Sequence, residues 1–519
     1  PTSLVSSAIN AEPAWDLTLG NPSVVVAVID SGVRFDHPDL LRVSAGGNLL
    51  DGYDLVSEDF RANDDTPGRD ADASDPGDWI SSSDLPSLSS CSGARVTNSS
   101  WHGTQVAGLV GALTNNGTGM ASVGRTVRIL PVRVIGKCAT FDSDLIAGAR
   151  WAAGLEVPGV PTNPTPARVL NISLGGNGAC PASYRDGFAD IINAGTVVVA
   201  AAGNSVGHAL GSPANCPGVI SVAGLRHIGT KAGFSDLGPQ ITVSAPGGNC
   251  VNGPGQPCLY PILTTTNPGS TTPVAGAAGG TYTDSYNITT GTSFSAPLVA
   301  GTAALMLSVN SRLNPADVVS QLQRSARPFP STGAANGVPI CQQPNAIGQG
   351  QFDQLECYCT TTTCGAGMLD VGAAVQLATS SFLPRISVSP TTPQATLALT
   401  LSTGETVLPT GRTVTGYQWT VIDAGGIATS VSGANNPSAT IVPSAEGRFT
   451  VQLTLTDDQG ATATTTRSIE VAAAPAPASV GGGGGGGGAV QPWALLGLAA
   501  AAWMLRRASR RQRSALRAS

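Results

Sequence analysis

Short apolar, β-branched runs separated by helix-favouring stretches set the terms for this chain. The runs cover 24–29, 128–134, 169–176, 196–202, 219–224 and 241–245. A run without polar alternation is the pattern of a strand buried on both faces, as in a parallel sheet. Between them, 101–113, 143–154 and 184–194 have helical patterns, and 293–307 is an apolar helix followed by no break until Asn310. Strands alternating with helices predict an α/β domain, a mainly parallel sheet with helices on both faces, over residues 1–380. From Pro384 the texture changes: Val, Thr and Ser dominate, and 414–421, 449–455 and 464–471 alternate with period two. That predicts a small all-β sandwich domain over 385–472.

Beyond it, 473–488 is an Ala/Pro linker ending in a glycine run from 481 to 488. The apolar stretch 489–505 is about 17 residues, at the short limit for a membrane-spanning helix. Residues 506–519 carry six arginines and form a basic tail expected to stay cytoplasmic. Without those six, the rest of the chain holds 21 basic and 33 acidic residues. An acidic body argues against nucleic acid as a partner and favours divalent cations. Sixty-five Gly, 37 Pro and ten dispersed Cys without a CxxC pair suit disulfides in an oxidising, extracellular setting better than zinc. A chain beginning at Pro1 is expected to be a processed form that has lost a targeting segment and a pro-segment.

Three positions stand where strands end or helices begin. Asp30 closes the run 24–29, at the strand end where open α/β sheets keep functional residues. His102 opens a helix rich in small residues, which allow other backbone to approach closely. Ser293, in Gly291-Thr292-Ser293-Phe294-Ser295-Ala296-Pro297, falls in the first turn of the apolar helix, where unpaired N–H groups and the helix dipole favour a negatively charged oxygen. Each alone has a plainer reading: a turn-forming Asp, a structural His, a capping Ser. A further stretch, 64–78, alternates Asp64, Asp70, Asp72, Asp75 and Asp78 with Gly and Pro. Hard oxygens on a tightly turned loop suit Ca²⁺, although the spacing is not that of an EF-hand.

The residues around these positions are more specific than their order. Val-Ile-Asp-Ser-Gly-Val at 28–33, His-Gly-Thr-Gln-Val-Ala-Gly at 102–108 and Gly-Thr-Ser-Phe-Ser-Ala-Pro at 291–297 resemble the three signature segments of the subtilisin-like serine peptidases, the subtilases. The order Asp, His, Ser is that of subtilisin. Ala-Ala-Gly-Asn at 201–204 resembles the family's oxyanion-hole segment. The resemblance implies a subtilisin-like fold and a catalytic triad. In it Asp30 orients His102, His102 takes the Ser293 proton and later gives it to the leaving amine, and Asn204 with the Ser293 N–H receives the oxyanion. Losing one such donor costs about 10²–10³ in rate, a magnitude that belongs to subtilisin itself. Ser173, Leu174 and Gly175 resemble the strand that pairs with substrate backbone. Ala201, Ala202 and Gly203 are expected to form one wall of the pocket for the residue before the scissile bond, with Gly211 to Pro213 near its base. Small walls imply cleavage after large uncharged residues. Gln105 departs from the family, which commonly has a second His there. The spacing from His102 to the Asn-rich loop 114–119 is slightly longer than in the best-known members.

By the same resemblance, Asp39, Leu113 and Asn116 are expected at a structural calcium site. The 64–78 loop resembles a second calcium loop of disulfide-containing secreted subtilases of Gram-negative bacteria. Cys91–Cys138 and Cys180–Cys216 are expected bridges, with Cys250–Cys258 a third; Cys341, Cys357, Cys359 and Cys364 are left unpaired by the sequence. Tyr417-Gln418-Trp419 and the run from Phe449 to Asp457 resemble a PKD-like module. The glycine run, apolar segment and Arg cluster resemble a GlyGly-CTERM sorting tail, which is recognised by an intramembrane protease and linked to type II secretion. The expectation is thus a secreted or cell-surface endopeptidase of broad specificity, stabilised by Ca²⁺ and initially anchored in the membrane. Its partners would be protein or peptide substrates, its own pro-segment and the sorting machinery. Two rivals remain: a maturation protease dedicated to one partner, and a non-catalytic binding protein on the same scaffold.

Overall fold

The computed structural model describes residues 5–474, apart from 65, 67, 89–90, 92, 249–259 and 286–287. Its centre is a sheet of β1 (Val25–Asp30), β2 (Tyr53–Asp54), β3 (Arg128–Arg133), β4 (Val169–Ile172), β5 (Val197–Ala201), β6 (Ile220–Leu225) and β7 (Val243–Pro246). The strand order is β2-β3-β1-β4-β5-β6-β7, and every neighbouring pair is parallel. From β1 the chain goes to β2 at the edge and returns to β3 beside β1, then crosses to β4 and runs outward through β5, β6 and β7. The C-terminal ends of β1 and β4 therefore flank the point where the order reverses, which is where open α/β sheets open a crevice.

The unbroken apolar runs are explained by the two layers. Val26 and Val28 face one core, while Ala27 and Ile29 face the other, all at 0–1% exposure. Burying each valine or isoleucine side chain is worth about 1.5–3 kcal/mol. On the first face lie α3 (His102–Gly111), α6 (Thr292–Val309), α7 (Pro315–Ser325) and α8 (Val371–Thr379), after the short α1 (Glu12–Trp15) and α2 (Asp59–Ala62). On the second lie α4 (Asp142–Ala152) and α5 (Ala182–Asn193). Helix α6 is apolar on all sides because it is the central core helix, packed on β4, β5, β6, β7 and α3.

A two-stranded ribbon, β8 (Thr264–Thr266) with β9 (Thr281–Thr283), covers the small-residue face of α3. The C-terminal unit comprises β10 (Ser387–Ser389), β11 (Leu399–Ser402), β12 (Val414–Asp423), β13 (Ser438–Ile441), β14 (Gly447–Asp457) and β15 (Thr462–Val471). They form two antiparallel three-stranded sheets, β10-β11-β13 and β12-β14-β15, around Trp419, Phe449, Leu453 and Ile441. This unit is seated on the α/β unit rather than strung beside it. Val407 is wholly buried in the first α/β core, Asn310 Nδ2 donates to the Leu408 carbonyl (3.0 Å), and Arg385 pairs with Asp317.

Cys91–Cys138 and Cys180–Cys216 are bridged, and the unassigned four pair as Cys341–Cys357 and Cys359–Cys364. Cys250 and Cys258 lie outside the described residues, as do the glycine run, the apolar segment 489–505 and the basic tail 506–519.

Candidate active site

Asp30 ends β1 with its side chain fully buried, one oxygen accepting from the Ser31 N–H at 2.8 Å. His102 is the first residue of α3, and its Nδ1 lies 2.8 and 2.9 Å from the two Asp30 oxygens. A proton on Nδ1 is therefore held, and Nε2 is left with its lone pair. The approach of α3 to the end of β1 requires Gly103, where a Cβ would fall 2.1 Å from the Gly32 carbonyl oxygen. For His102, burial works to lower the pKa, but the Asp30 charge and hydrogen bond, with Asp78 and Asp75 behind them, outweigh it and hold the ring above its usual value.

Ser293 is the second residue of α6, after Gly291 at φ 149°. Phe294 sets its ring edge-on to His102, centroids 5.8 Å apart. Ser293 Oγ does not bond His102. It donates to the Ser173 carbonyl (2.9 Å), while Ser173 Oγ donates to the Ser293 carbonyl (2.8 Å) and accepts from Asn171 (2.9 Å). This reciprocal pair ties the end of β4 to the start of α6. Ser173 also lines the cavity described below, together with Leu174 and Gly175.

Asn204 follows β5. Its Oδ1 accepts from the Thr292 N–H (2.9 Å) and Oγ1 (3.0 Å), which leaves Nδ2 as the outward donor beside Gly291. The Ser293 N–H, in the first turn, has no carbonyl four residues back within the helix. Both donors border a cavity of about 330 Å³ lined by Leu174, Gly175, Ala201, Ala202, Gly203 and Gly211 among others. Thr292, which orients the Asn204 amide and accepts from the Gly203 N–H (3.1 Å), was not singled out by sequence reasoning. Its position beside Ser293 was the available signal.

The structure brings Asp39 and Asn116 together. Asn116 Nδ2 donates to one Asp39 oxygen (2.5 Å), the Tyr282 hydroxyl donates to the other (2.8 Å), and the Leu113 N–H bonds the Asp39 carbonyl (2.9 Å). Once the Asn116 amide turns its oxygen inward, the donors are hard oxygens of the kind Ca²⁺ takes, so the residues fit that ion. In the 64–78 loop, expected to hold a second calcium, the carboxylates have protein partners. Asp64 pairs with Arg133 (2.6 Å), Asp70 accepts from the Asp72 N–H (2.6 Å), and Asp72 accepts from Ser74 (3.0 Å). Asp75 is buried against Ser31 and Gly77, and Asp78 accepts twice from Ser100. These lone pairs are engaged by the loop's own turns and its neighbours. Among the described residues, the one group of three or more His, Cys, Asp or Glu side chains near enough to share an ion is Cys341, Cys359 and Cys364, all disulfide-bonded.

Comparison with known proteins adds two family matches: the Subtilase family over residues 21–353, and a PKD domain family over 387–471. An extracellular protease of Xanthomonas campestris pv. campestris is 39% identical over 375 residues, 72% of this chain and 54% of the relative. An extracellular basic protease of Dichelobacter nodosus is 36% identical over 331 residues, 62% of this chain and 49% of the relative. The chain thus spans about half the length of these two curated relatives. A solved protease structure from Pseudoalteromonas arctica matches with a TM-score of 0.59 and 39% identity, covering 72% of this chain and 94% of that one.

Proposed function

The chain belongs to the subtilase family, and on that premise we propose that it is a serine endopeptidase acting through Asp30, His102 and Ser293. The observation that carries this reading is the His102 ring, fixed through Nδ1 by both Asp30 oxygens beside a nucleophile in the first turn of α6. The Ser293 hydroxyl turns from the Ser173 carbonyl to Nε2 as the peptide enters. Nε2 takes the Oγ proton while Oγ attacks the carbonyl carbon, and Asp30 stabilises the imidazolium. Asn204 Nδ2 and the Ser293 N–H receive the oxyanion, the imidazolium protonates the leaving amine, and water then hydrolyses the acyl-enzyme by the same route.

The small-walled cavity supports cleavage after large uncharged residues, and backbone pairing along Leu174 and Gly175 supports broad sequence tolerance. Asp39, Asn116 and the Leu113 carbonyl would hold a structural Ca²⁺. The extracellular relatives support export, after removal of a pro-segment. The glycine run, apolar segment and basic tail support a sorting tail that anchors the chain until it is processed.

The test is hydrolysis of denatured casein by wild type and Ser293→Ala, each with and without EDTA. Cleavage by the wild type alone is expected, with losses in EDTA that calcium restores. Cleavage that survives Ser293→Ala would remove the serine mechanism, and an intact substrate with both proteins would leave a protease dedicated to one partner or a binding role.

A further inference from the structure

We propose that Ser100, Asp78 and Gln105 form a clamp that positions His102. The proposal rests on the proteolytic reading of the Asp30–His102–Ser293 site. None of these three residues touches the reacting atoms; each acts through the first turn of α3.

Ser100 is the hub. Its N–H and hydroxyl donate to the two oxygens of Asp78, at 2.6 and 2.8 Å. Its Oγ accepts from the His102 N–H (3.3 Å), and its carbonyl accepts from Gln105 Nε2 (2.9 Å). Gln105 is anchored in turn, buried and within 3.3 Å of the Thr266 hydroxyl on the β8 ribbon. The next helix N–H repeats the pattern: Gly103 donates to Ser31 Oγ (3.0 Å), and Ser31 donates to buried Asp75 (2.7 Å). The first two N–H groups of α3 therefore each meet a serine hydroxyl backed by a carboxylate. Trp101, between Ser100 and His102, is held at φ 54°, its indole donating to the Gly269 carbonyl (2.6 Å).

The orphan N–H groups at a helix start need acceptors, and negative charge there is favourable. A carboxylate behind each hydroxyl makes those bonds stronger and more directional. The carboxylates on the His102 side are Asp30 from β1, bonded to Nδ1, and Asp78, behind Ser100; Asp75, behind Ser31, is pushed up to about 7 by burial, and Phe294 from α6 brings only a ring. The combined effect of Asp30 and Asp78 opposes the desolvation of the imidazolium that must form during proton transfer. Gln105 suits the clamp because its amide does not titrate. A histidine at that position would change its hydrogen-bonding role between pH 5 and 8, over the range in which His102 itself works.

The test reads His102 directly. Full-length protein with isotope-labelled histidines, in the Ser293→Ala background, is titrated by NMR, with His102→Ala giving the assignment. Asp78→Asn is expected to lower the His102 midpoint by about half a pH unit at low salt, and the difference is expected to shrink near about 1 M salt because Asp78 is partly exposed. In the Ser293-containing enzyme, Ser100→Ala keeps the charge but breaks the clamp, and is expected to lower kcat several-fold with KM unchanged. A midpoint unmoved in Asp78→Asn, or kcat unchanged in Ser100→Ala, would overturn the proposal; Ser100→Ala serves if Asp78→Asn does not fold. Failure of the proteolytic reading would show separately, as casein left intact by the wild type, because the titration is readable in an inactive protein.

Discussion

Asp236 lies beneath the loop that carries Asn204, and its two oxygens have unequal surroundings. One accepts from the Ser205 and His208 N–H groups at 2.9 and 3.0 Å; the other is buried without a hydrogen-bond partner among the described residues. Burial is the larger influence and pushes the carboxyl from 3.8 up to about 6. A carboxyl raised in the folded state contributes stability that is full below its unfolded pKa and is lost as pH rises through the folded value. Between pH 5 and 8 that loss is about 1.4 kcal/mol. Asp236→Asn keeps an acceptor for both N–H groups and removes the titration. Its thermal midpoint is therefore expected to gain on the wild type between pH 5 and pH 8, and a parallel pH dependence in the two proteins would contradict this.

At the scale of the element, α3 shows how packing and catalysis share one helix. Its glycines make different contacts: a Cβ on Gly103 would fall 2.1 Å from the Gly32 carbonyl oxygen, beside Asp30, whereas one on Gly108 would fall 2.2 Å from the Thr265 hydroxyl on β8. Gly103→Ala is expected to displace the first turn and cost about 10²-fold in kcat/KM, as misplacements near 1 Å do. Gly108→Ala is expected to cost about 1–3 kcal/mol of stability while sparing activity per folded molecule. Melting curves alongside kcat/KM separate the two. The elements were largely legible in the sequence because a strand buried on both faces has no polar positions, and β1 and β5 are such strands. Asp30, His102, Asn204 and Ser293 were legible because each sits at an element end with a distinctive neighbourhood. The fates of Asp75 and Asp78 were not, because they depend on how a long loop folds back across Ser31 and Ser100. Composition offered oxygen ligands there, and it carries no information on which N–H and hydroxyl groups those oxygens meet. The Ser173–Ser293 pair was hidden for a similar reason, joining residues far apart in sequence.

On the scale of the whole molecule, the β unit is bound into the fold of its neighbour. Val407 sits in the α/β core, Arg312 donates to the Thr406 carbonyl (2.9 Å), and the Thr410 N–H bonds the Thr379 carbonyl (3.0 Å). Calorimetry of the wild type is expected to show both units melting together, and Val407→Asp, which places a charge in that core, is expected to split the transition in two. Two separate transitions in the wild type would refute the coupling. The placement of α6 has a further consequence. It lies across β4, β5, β6 and β7, and its far end reaches the β unit at Asn310. A chain that emerges N-terminus first exposes Asp30 and His102 early, yet the nucleophile has no place to dock until the later strands have joined the sheet. On the proteolytic reading, cutting power is thus acquired last, after the sheet that seats the nucleophile is complete.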